Sequence, residues 1–491
     1  MSFSGQLAAS GIAPPGWTLT ASGPWLSAMR AGVRLPDQGW KLHLSATIAS
    51  APDLLARALP LLRQNGTGFK IARTLADLSN LNEGRSGLSQ VGKFMTVYPP
   101  DDGSAVRLAL DLDRLTRGIP GPPVPSDRRL CDGSAVYYRY GGFSGLSLRL
   151  PHGETVPAIR DPEGRREPDQ RREVYSQPDW VTDPFAEAVA SRGLTRTPPP
   201  LVIAGRVVLT AAISHSPRGR IFLALDLEGQ ARAIVKEAHE GSGATADGRD
   251  ATDMLRAEAL ALESIGPRPY LPRFLGLARE GQSLFLAMED TGGRTLGSVV
   301  AELRARGTPM AWAEVEATAR EIAGMIVDLH RAGWLHRDLK PTNVMRRPYG
   351  RLAIIDLELA QPIAAAGAGD GRGTPGYMSP AQKAGEPPAV ADDLYGFGAL
   401  VYFLATAGDP GQTPRAEPLR DRPLRQLRPD APAWFADVIE TCLGSPAHPP
   451  FRSMEEVARA LASPPSPASA GAAPPAAASV DLSALLAGTV S

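Results

Sequence analysis

His336-Arg337-Asp338-Leu339-Lys340-Pro341-Thr342-Asn343 is followed, after a Pro348-Tyr349-Gly350 turn, by Leu352-Ala353-Ile354-Ile355-Asp356. Upstream, Ile322, Met325, Ile326 and Leu329 recur at helical spacing, and Ala332-Gly333 ends that helix. A helix, a loop and a hairpin therefore carry a carboxylate, an amide and a second carboxylate in order. Phosphoryl transfer from a nucleotide needs that set. One carboxylate orients the attacking hydroxyl and accepts its proton, while a carboxylate and an amide oxygen hold Mg2+ against the phosphates.

The stretch resembles the catalytic loop and metal-binding segment of the protein kinases. That resemblance implies a two-lobed kinase fold using Mg2+ and ATP or another nucleoside triphosphate. Asp338 would orient the hydroxyl, Lys340 would steady the transferring phosphoryl group, and Asn343 and Asp356 would hold the metal. Ala233-Ile234-Val235-Lys236 is similar to the strand whose lysine grips the nucleotide phosphates. Its partner is expected on the next helix at Glu258, with Glu263 as the alternative. The run Leu284-Phe285-Leu286-Ala287-Met288-Glu289-Asp290 resembles the strand entering the hinge, which implies Met288 and Glu289 at the adenine pocket. Asp393 falls where the family has an aspartate that braces the catalytic loop.

Three departures stand out. In Ile213-Ser214-His215-Ser216-Pro217-Arg218-Gly219-Arg220 only Gly219 survives of a glycine-rich phosphate loop, so Ser214, Ser216 or Arg218 is expected to replace the missing backbone contacts. Asp356 is followed by Leu357-Glu358, without the usual flexible glycine. Ala381, in Ser379-Pro380-Ala381, replaces a glutamate that would pair with Arg452, so the substrate loop is expected to be anchored in another way.

The Ser-His-Ser loop, Val235-Lys236-Glu237-Ala238 and Asp356-Leu357-Glu358 resemble the kinase domain of class III lanthipeptide synthetases. The N-terminal part resembles their lyase domain through Trp40–Thr47, Phe69-Lys70, Gly92–Pro99, Ser126–Arg129 and Tyr138–Phe143, in that order. This implies an enzyme that phosphorylates Ser or Thr of a precursor peptide and then eliminates phosphate to leave a dehydroamino acid. Elimination needs a base for the α-proton, an acid or cation for the leaving group, and charge to steady the enolate. Lys41 and His43 lie two apart on an expected strand and so share a face. The pair resembles that of phosphothreonine lyases, which implies lysine as base and histidine as acid. Lys70, Lys93, Arg128, Arg129 and Arg139 would clamp the phosphate, arginine doing so with a planar fork.

The fold class expected is α+β, an N-terminal α+β lyase-like domain preceding the kinase fold. Residues 1–35 read as an extension, 36–191 as the lyase-like domain, 192–201 as a Pro-rich linker, 202–462 as the kinase and 463–491 as a disordered Ala/Pro-rich tail. Asp53–Leu62 reads as a helix that Pro60 should kink or end. With Lys+Arg 52 balancing Asp+Glu 52, no chain-wide basic footprint for nucleic acid exists. Two cysteines, Cys131 and Cys442, exclude a disulfide framework and a multi-cysteine zinc site. Neither signal peptide nor membrane-length apolar run is visible, so a cytoplasmic protein is expected. No cyclase domain is read after the kinase, which leaves ring closure to a separate cyclase or to none. The alternatives are an ordinary Ser/Thr kinase with a regulatory N-terminal domain, and a nucleotide-binding pseudokinase scaffold.

Overall fold

The computed structural model describes residues 3–463 except 144, 171, 173, 199, 246–247, 366, 368 and 413–422; of the expected tail, 464–491 lie outside the described residues. The chain divides into two compact units. One comprises the described residues up to Arg294 with Asn343–Gln361, the other Thr295–Thr342 with the described residues from Pro362 onward.

In the first unit, seven strands form an antiparallel sheet: β1 (Trp17–Ser22), β2 (Trp25–Arg30), β3 (Gln38–Leu44), β4 (Gly68–Ala72), β5 (Met95–Tyr98), β6 (Arg128–Arg129) and β7 (Val136–Gly142). Their order is β1-β2-β4-β5-β3-β7-β6. Alternation along β3 sends Trp40, Leu42 and Leu44 into a core shared with Leu7 of α1 (Ser4–Ala9) and with Leu54, Leu55, Ala58, Leu59 and Leu62 of α2 (Ala51–Asn65). Pro60 neither ends nor interrupts α2, which runs on to Asn65 and stops at left-handed Gly66. The buried stripe on both sides of Pro60 outweighs the single backbone hydrogen bond that the proline forgoes.

The described part of the expected N-terminal extension, residues 3–35, packs with the domain that follows it. Phe3, Leu7, Ile12, Trp17 and Leu26 are buried in the same core, and β1 and β2 belong to the sheet.

A small antiparallel sheet follows, made of β8 (Ser147–Arg149), β9 (Thr155–Arg160) and β10 (Arg166–Pro168). The first unit also holds a six-stranded sheet of β11 (Val202–Ile203), β12 (Val207–Ser216), β13 (Gly219–Asp226), β14 (Ala231–His239), β15 (Phe274–Glu280) and β16 (Ser283–Glu289), ordered β11-β12-β13-β14-β16-β15. Gly219 survives here for a packing reason: a Cβ would lie 1.8 Å from the Glu237 carbonyl oxygen. The helix Ala251–Ile265 is opened by a capping box of Asp250 and Asp253.

The second unit is helical. Its longest helix, Trp312–Arg331, buries Ile322, Met325, Ile326 and Leu329 as the apolar spacing predicts. Val390–Thr406 is buried along most of its length. Among the described residues no helix is long and apolar enough to cross a membrane.

Candidate active sites

Three of the residues expected at the nucleotide and its metal, Lys236, Glu258 and Asp356, meet in the first unit. Lys236 Nζ on β14 lies 2.8 Å from both Glu258 oxygens and 2.6 Å from Asp356 Oδ1. Glu258 faces inward on the Ala251–Ile265 helix and is buried, whereas Glu263 is exposed, so Glu258 is the partner. Burial works against the Lys236 ammonium, but Asp356 and Glu258 outweigh it and raise its pKa. Burial, with Asp356 close by, pushes Glu258 up in spite of Lys236. Asp356 adopts a left-handed φ of 70°. Asn343 is joined to this segment where Ile355 N–H donates to its carbonyl at 2.9 Å.

Other expected nucleotide contacts are differently placed. Ser216 Oγ is spent within the β12–β13 turn, donating to the Gly219 carbonyl at 3.1 Å and accepting from the Gly219 N–H at 3.3 Å. Ser214 is exposed on β12 opposite Ile221. Met288 is buried on β16, and the Glu289 carboxylate is engaged by Arg273 at 3.2 Å and Arg347 at 3.1 Å.

In the second unit, Asp338 and Lys340 form one network with a residue the sequence reading missed. Lys340 Nζ is 2.5 Å from Asp338 Oδ2 and 2.9 Å from Thr374 Oγ1, and the Thr374 hydroxyl donates to Asp338 Oδ1 at 2.7 Å. Thr374 lies in Gly373-Thr374-Pro375, and its place shortly before Ser379-Pro380 was the available signal. Asp393 braces the loop as expected, accepting from the backbone N–H of His336 at 2.9 Å and of Arg337 at 2.7 Å, with His330 Nε2 at 2.8 Å. The substrate loop, lacking glutamate at Ala381, is held by neighbouring side chains. Ser379 Oγ donates to Asp392 at 2.5 Å, and buried Gln382 donates through Nε2 to the carbonyls of Arg337 and Arg372 at 2.8 and 2.7 Å.

The N-terminal sheet sets Lys41, His43, Lys70, Arg129 and Arg139 on the face opposite its apolar core. Cross-strand register sets Lys70 (β4), Thr96 (β5), His43 (β3), Tyr137 (β7) and Arg129 (β6) in one row, and Lys41 opposite Arg139 beside it. Lys41, His43, Lys93 and Arg139 are all buried. His43 Nδ1 makes a short contact with Asp127 Oδ2, Lys93 Nζ lies 3.1 Å from Asp127 Oδ1, and Arg139 pairs with Asp169. Asp127 belongs to the Ser126–Arg129 stretch, 84 residues from His43, and no local spacing announces its role. Burial lowers the His43 pKa to about 3; Asp127 opposes this, while Lys93 and Arg139 reinforce it. Burial would raise Asp127, yet His43, Lys93 and Arg139 together hold it well below the usual carboxylate range. In the free site, then, His43 is neutral and Asp127 ionised.

The expected clamp is only partly assembled. Arg128 lies opposite Tyr138, on the other face of the sheet, where it pairs with Asp183 at 3.1 Å and stacks over Tyr175. Its neighbour Arg129 takes the place in the row, over the Tyr137 ring. Lys70 stands above Trp25 with Nζ 4.1 Å from the ring centre. A cavity of about 1050 Å3, bordered by Asp127, Arg129 and Tyr137, is lined on its other side by Ser216, Glu237 and His239.

Residues 6–195 match the family described as "RamC, N-terminal domain", and residues 218–435 match the protein kinase domain. The chain joins a RamC-type N-terminal domain to a protein kinase domain. It is 33% identical over 410 residues to a probable SapB synthase of Streptomyces coelicolor, a match covering 81% of this chain and 43% of that one. It is 28% identical over 312 residues to serine/threonine-protein kinase F of Synechocystis, covering 59% and 61%, and 34% identical over 158 residues to PknL of Mycobacterium tuberculosis, covering 32% and 38%. The chain thus spans less than two thirds of each of these relatives.

A protein kinase domain takes ATP and a divalent metal, and the residues present here suit both. The Asp356 carboxylate and the Asn343 side-chain oxygen are hard donors of the kind such a metal prefers. Lys236, fixed between Glu258 and Asp356, supplies a fixed cation for phosphate. The row on the RamC-type domain uses none of these groups and is a separate cluster of cations and polar side chains.

Proposed function

We propose that the chain is a two-step dehydratase acting on Ser or Thr of a precursor peptide, with ATP and Mg2+ serving its kinase domain. Asp338 orients the peptide hydroxyl and takes its proton, Lys340 and Thr374 hold Asp338 in place, and Lys236 with Glu258 positions the nucleotide. Mg2+, held by Asn343 and Asp356, would offset the charge of the phosphates. The RamC-type domain then eliminates the phosphate. Lys41, as the free amine, removes the α-proton, the freed electron pair forms the Cα=Cβ bond, and the Cβ–O bond breaks so that phosphate leaves with a proton from His43, which takes up that proton once the phosphate dianion is bound beside it. Lys70, Lys93, Arg129 and Arg139 offset the negative charge that develops. Dehydro residues are then open to thiol addition, the step a separate cyclase would perform. ATP as donor makes the cytoplasm its expected compartment.

The observation that carries this reading is the buried Lys41–His43–Asp127–Lys93–Arg139 cluster, which a regulatory domain has no need to maintain. The neutral state of His43 also favours a variant of the chemistry. With Nδ1 held by Asp127, Nε2 is a free base, and the acid and base roles of Lys41 and His43 can be exchanged unless a bound phosphate dianion raises the imidazole. The rate–pH profile separates the two.

The test supplies Mg-ATP with a phosphothreonine peptide and its unphosphorylated twin, read by mass spectrometry with a thiol present to trap alkene. Asp338→Asn should abolish phosphorylation and spare elimination; Lys41→Ala should do the reverse. Phosphate gain on the twin without elimination from either peptide would leave an ordinary Ser/Thr kinase.

A further inference from the structure

We propose that Thr96 is a substrate-binding residue of the lyase site, its hydroxyl donating to the phosphate of a phosphoserine or phosphothreonine side chain. The inference rests on the lyase reading above and deepens it. Thr96 lies on β5 directly opposite His43 on one side and Lys70 on the other, so all three side chains leave the same face. It is 2% exposed, and its Oγ1 has no hydrogen-bond partner among the described residues. Buried hydroxyls in native proteins are nearly always paired, because an unpaired one forfeits its hydration without return.

Valine has the same shape, suits a buried strand and carries no such penalty. The hydroxyl at this position therefore calls for a partner that arrives later. Cross-strand neighbours stand about 5 Å apart, so any anion bridging the Lys70 ammonium and the His43 ring passes over Thr96. A phosphate monoester supplies the acceptor oxygens for all three groups at once. The hydroxyl also adds a short, directional contact between two longer side chains, which places the ester oxygen relative to His43.

Thr96→Val and Thr96→Ser in the full chain test this against the phosphothreonine peptide. A structural hydroxyl and a substrate-binding one predict opposite results. Thr96→Val should melt at or above the wild-type temperature, since an unpaired buried group has been replaced by an apolar isostere. Its elimination kcat/KM should fall about tenfold or more, the loss of one charge-assisted hydrogen bond, with phosphorylation of the unphosphorylated twin unchanged. Thr96→Ser should keep most of the elimination. Wild-type elimination rates in Thr96→Val would overturn the proposal, as would a lowered melting temperature with both activities reduced together. Should the wild type bind the phosphopeptide without eliminating, the lyase reading fails. Thr96 is then judged by whether Thr96→Val loses affinity for the phosphopeptide relative to its twin; equal affinity in both proteins overturns it.

Discussion

His43 presents Nδ1 to the Asp127 carboxylate, with both side chains buried, and this pairing decides which imidazole nitrogen can meet a substrate. Nδ1 is committed, so Nε2 is the reacting atom. Asp127 also holds Lys93, which makes it the point at which the imidazole, a cation and the sheet are registered. Asp127→Asn keeps the shape and removes the charge that orders both partners. Elimination should fall about 100-fold, as for other groups that orient a reacting histidine. Phosphorylation of peptide should be unchanged, and comparing the two rates in one preparation checks this.

The same burial gives a pH dependence of stability. Free imidazole takes up a proton near 6.5, but His43 in the folded chain resists until about 3. Between those values the unfolded chain binds more protons, so acidification favours unfolding. The cost approaches about 1.4 kcal/mol per pH unit below the free-imidazole value. His43→Gln lacks this titration. The stability lost by the wild type between pH 7 and pH 5, measured by denaturant unfolding, should exceed that lost by His43→Gln. Parallel losses would contradict a neutral buried His43.

What could be read in advance follows from how local each feature is. Asp338, Asn343 and Asp356 sit close together in one motif, whereas Glu258 and Glu263 were both open until the buried face of their helix chose Glu258. Period-two alternation suffices to put Lys41 and His43 on one face. Asp127 is far from His43 in sequence, and no local spacing announces their contact. Arg128 and Arg129 form a two-residue strand, where a slip of one position exchanges faces, so only the register with Tyr137 and Tyr138 tells them apart. Pro60 defies its local propensity because the core that α2 fills holds the helix on both sides of it.

That register yields its own prediction. Arg129 shares the row with His43 and Lys70, whereas Arg128 is half-exposed to solvent on the opposite face, paired with Asp183. Arg129→Ala should lower elimination kcat/KM by about tenfold or more, the loss of one charged phosphate contact. Arg128→Ala should change it less than about threefold, since an exposed ion pair contributes little. Steady-state elimination from the phosphopeptide compares them, and a larger loss for Arg128→Ala would mean the face assignment is wrong.

Gln382 carries the anchoring of the substrate loop that Ala381 cannot. Its amide nitrogen bridges the carbonyls of Arg337, beside Asp338, and Arg372, just ahead of Thr374. Losing that donor strands two carbonyls that water reaches poorly, so Gln382→Ala should destabilise the kinase domain by about 2 kcal/mol. Phosphorylation should fall more than this loss of folded protein explains, because Thr374 and Asp338 lose their common support. Gln382→Glu should not rescue either property: a carboxylate has no N–H to give and would face two carbonyl oxygens. Elimination from a prephosphorylated peptide should persist in both variants at temperatures where they stay folded. Denaturation midpoints alongside the two activities provide the check, and full phosphorylation by Gln382→Ala would show that Ser379 and Asp392 anchor the loop alone.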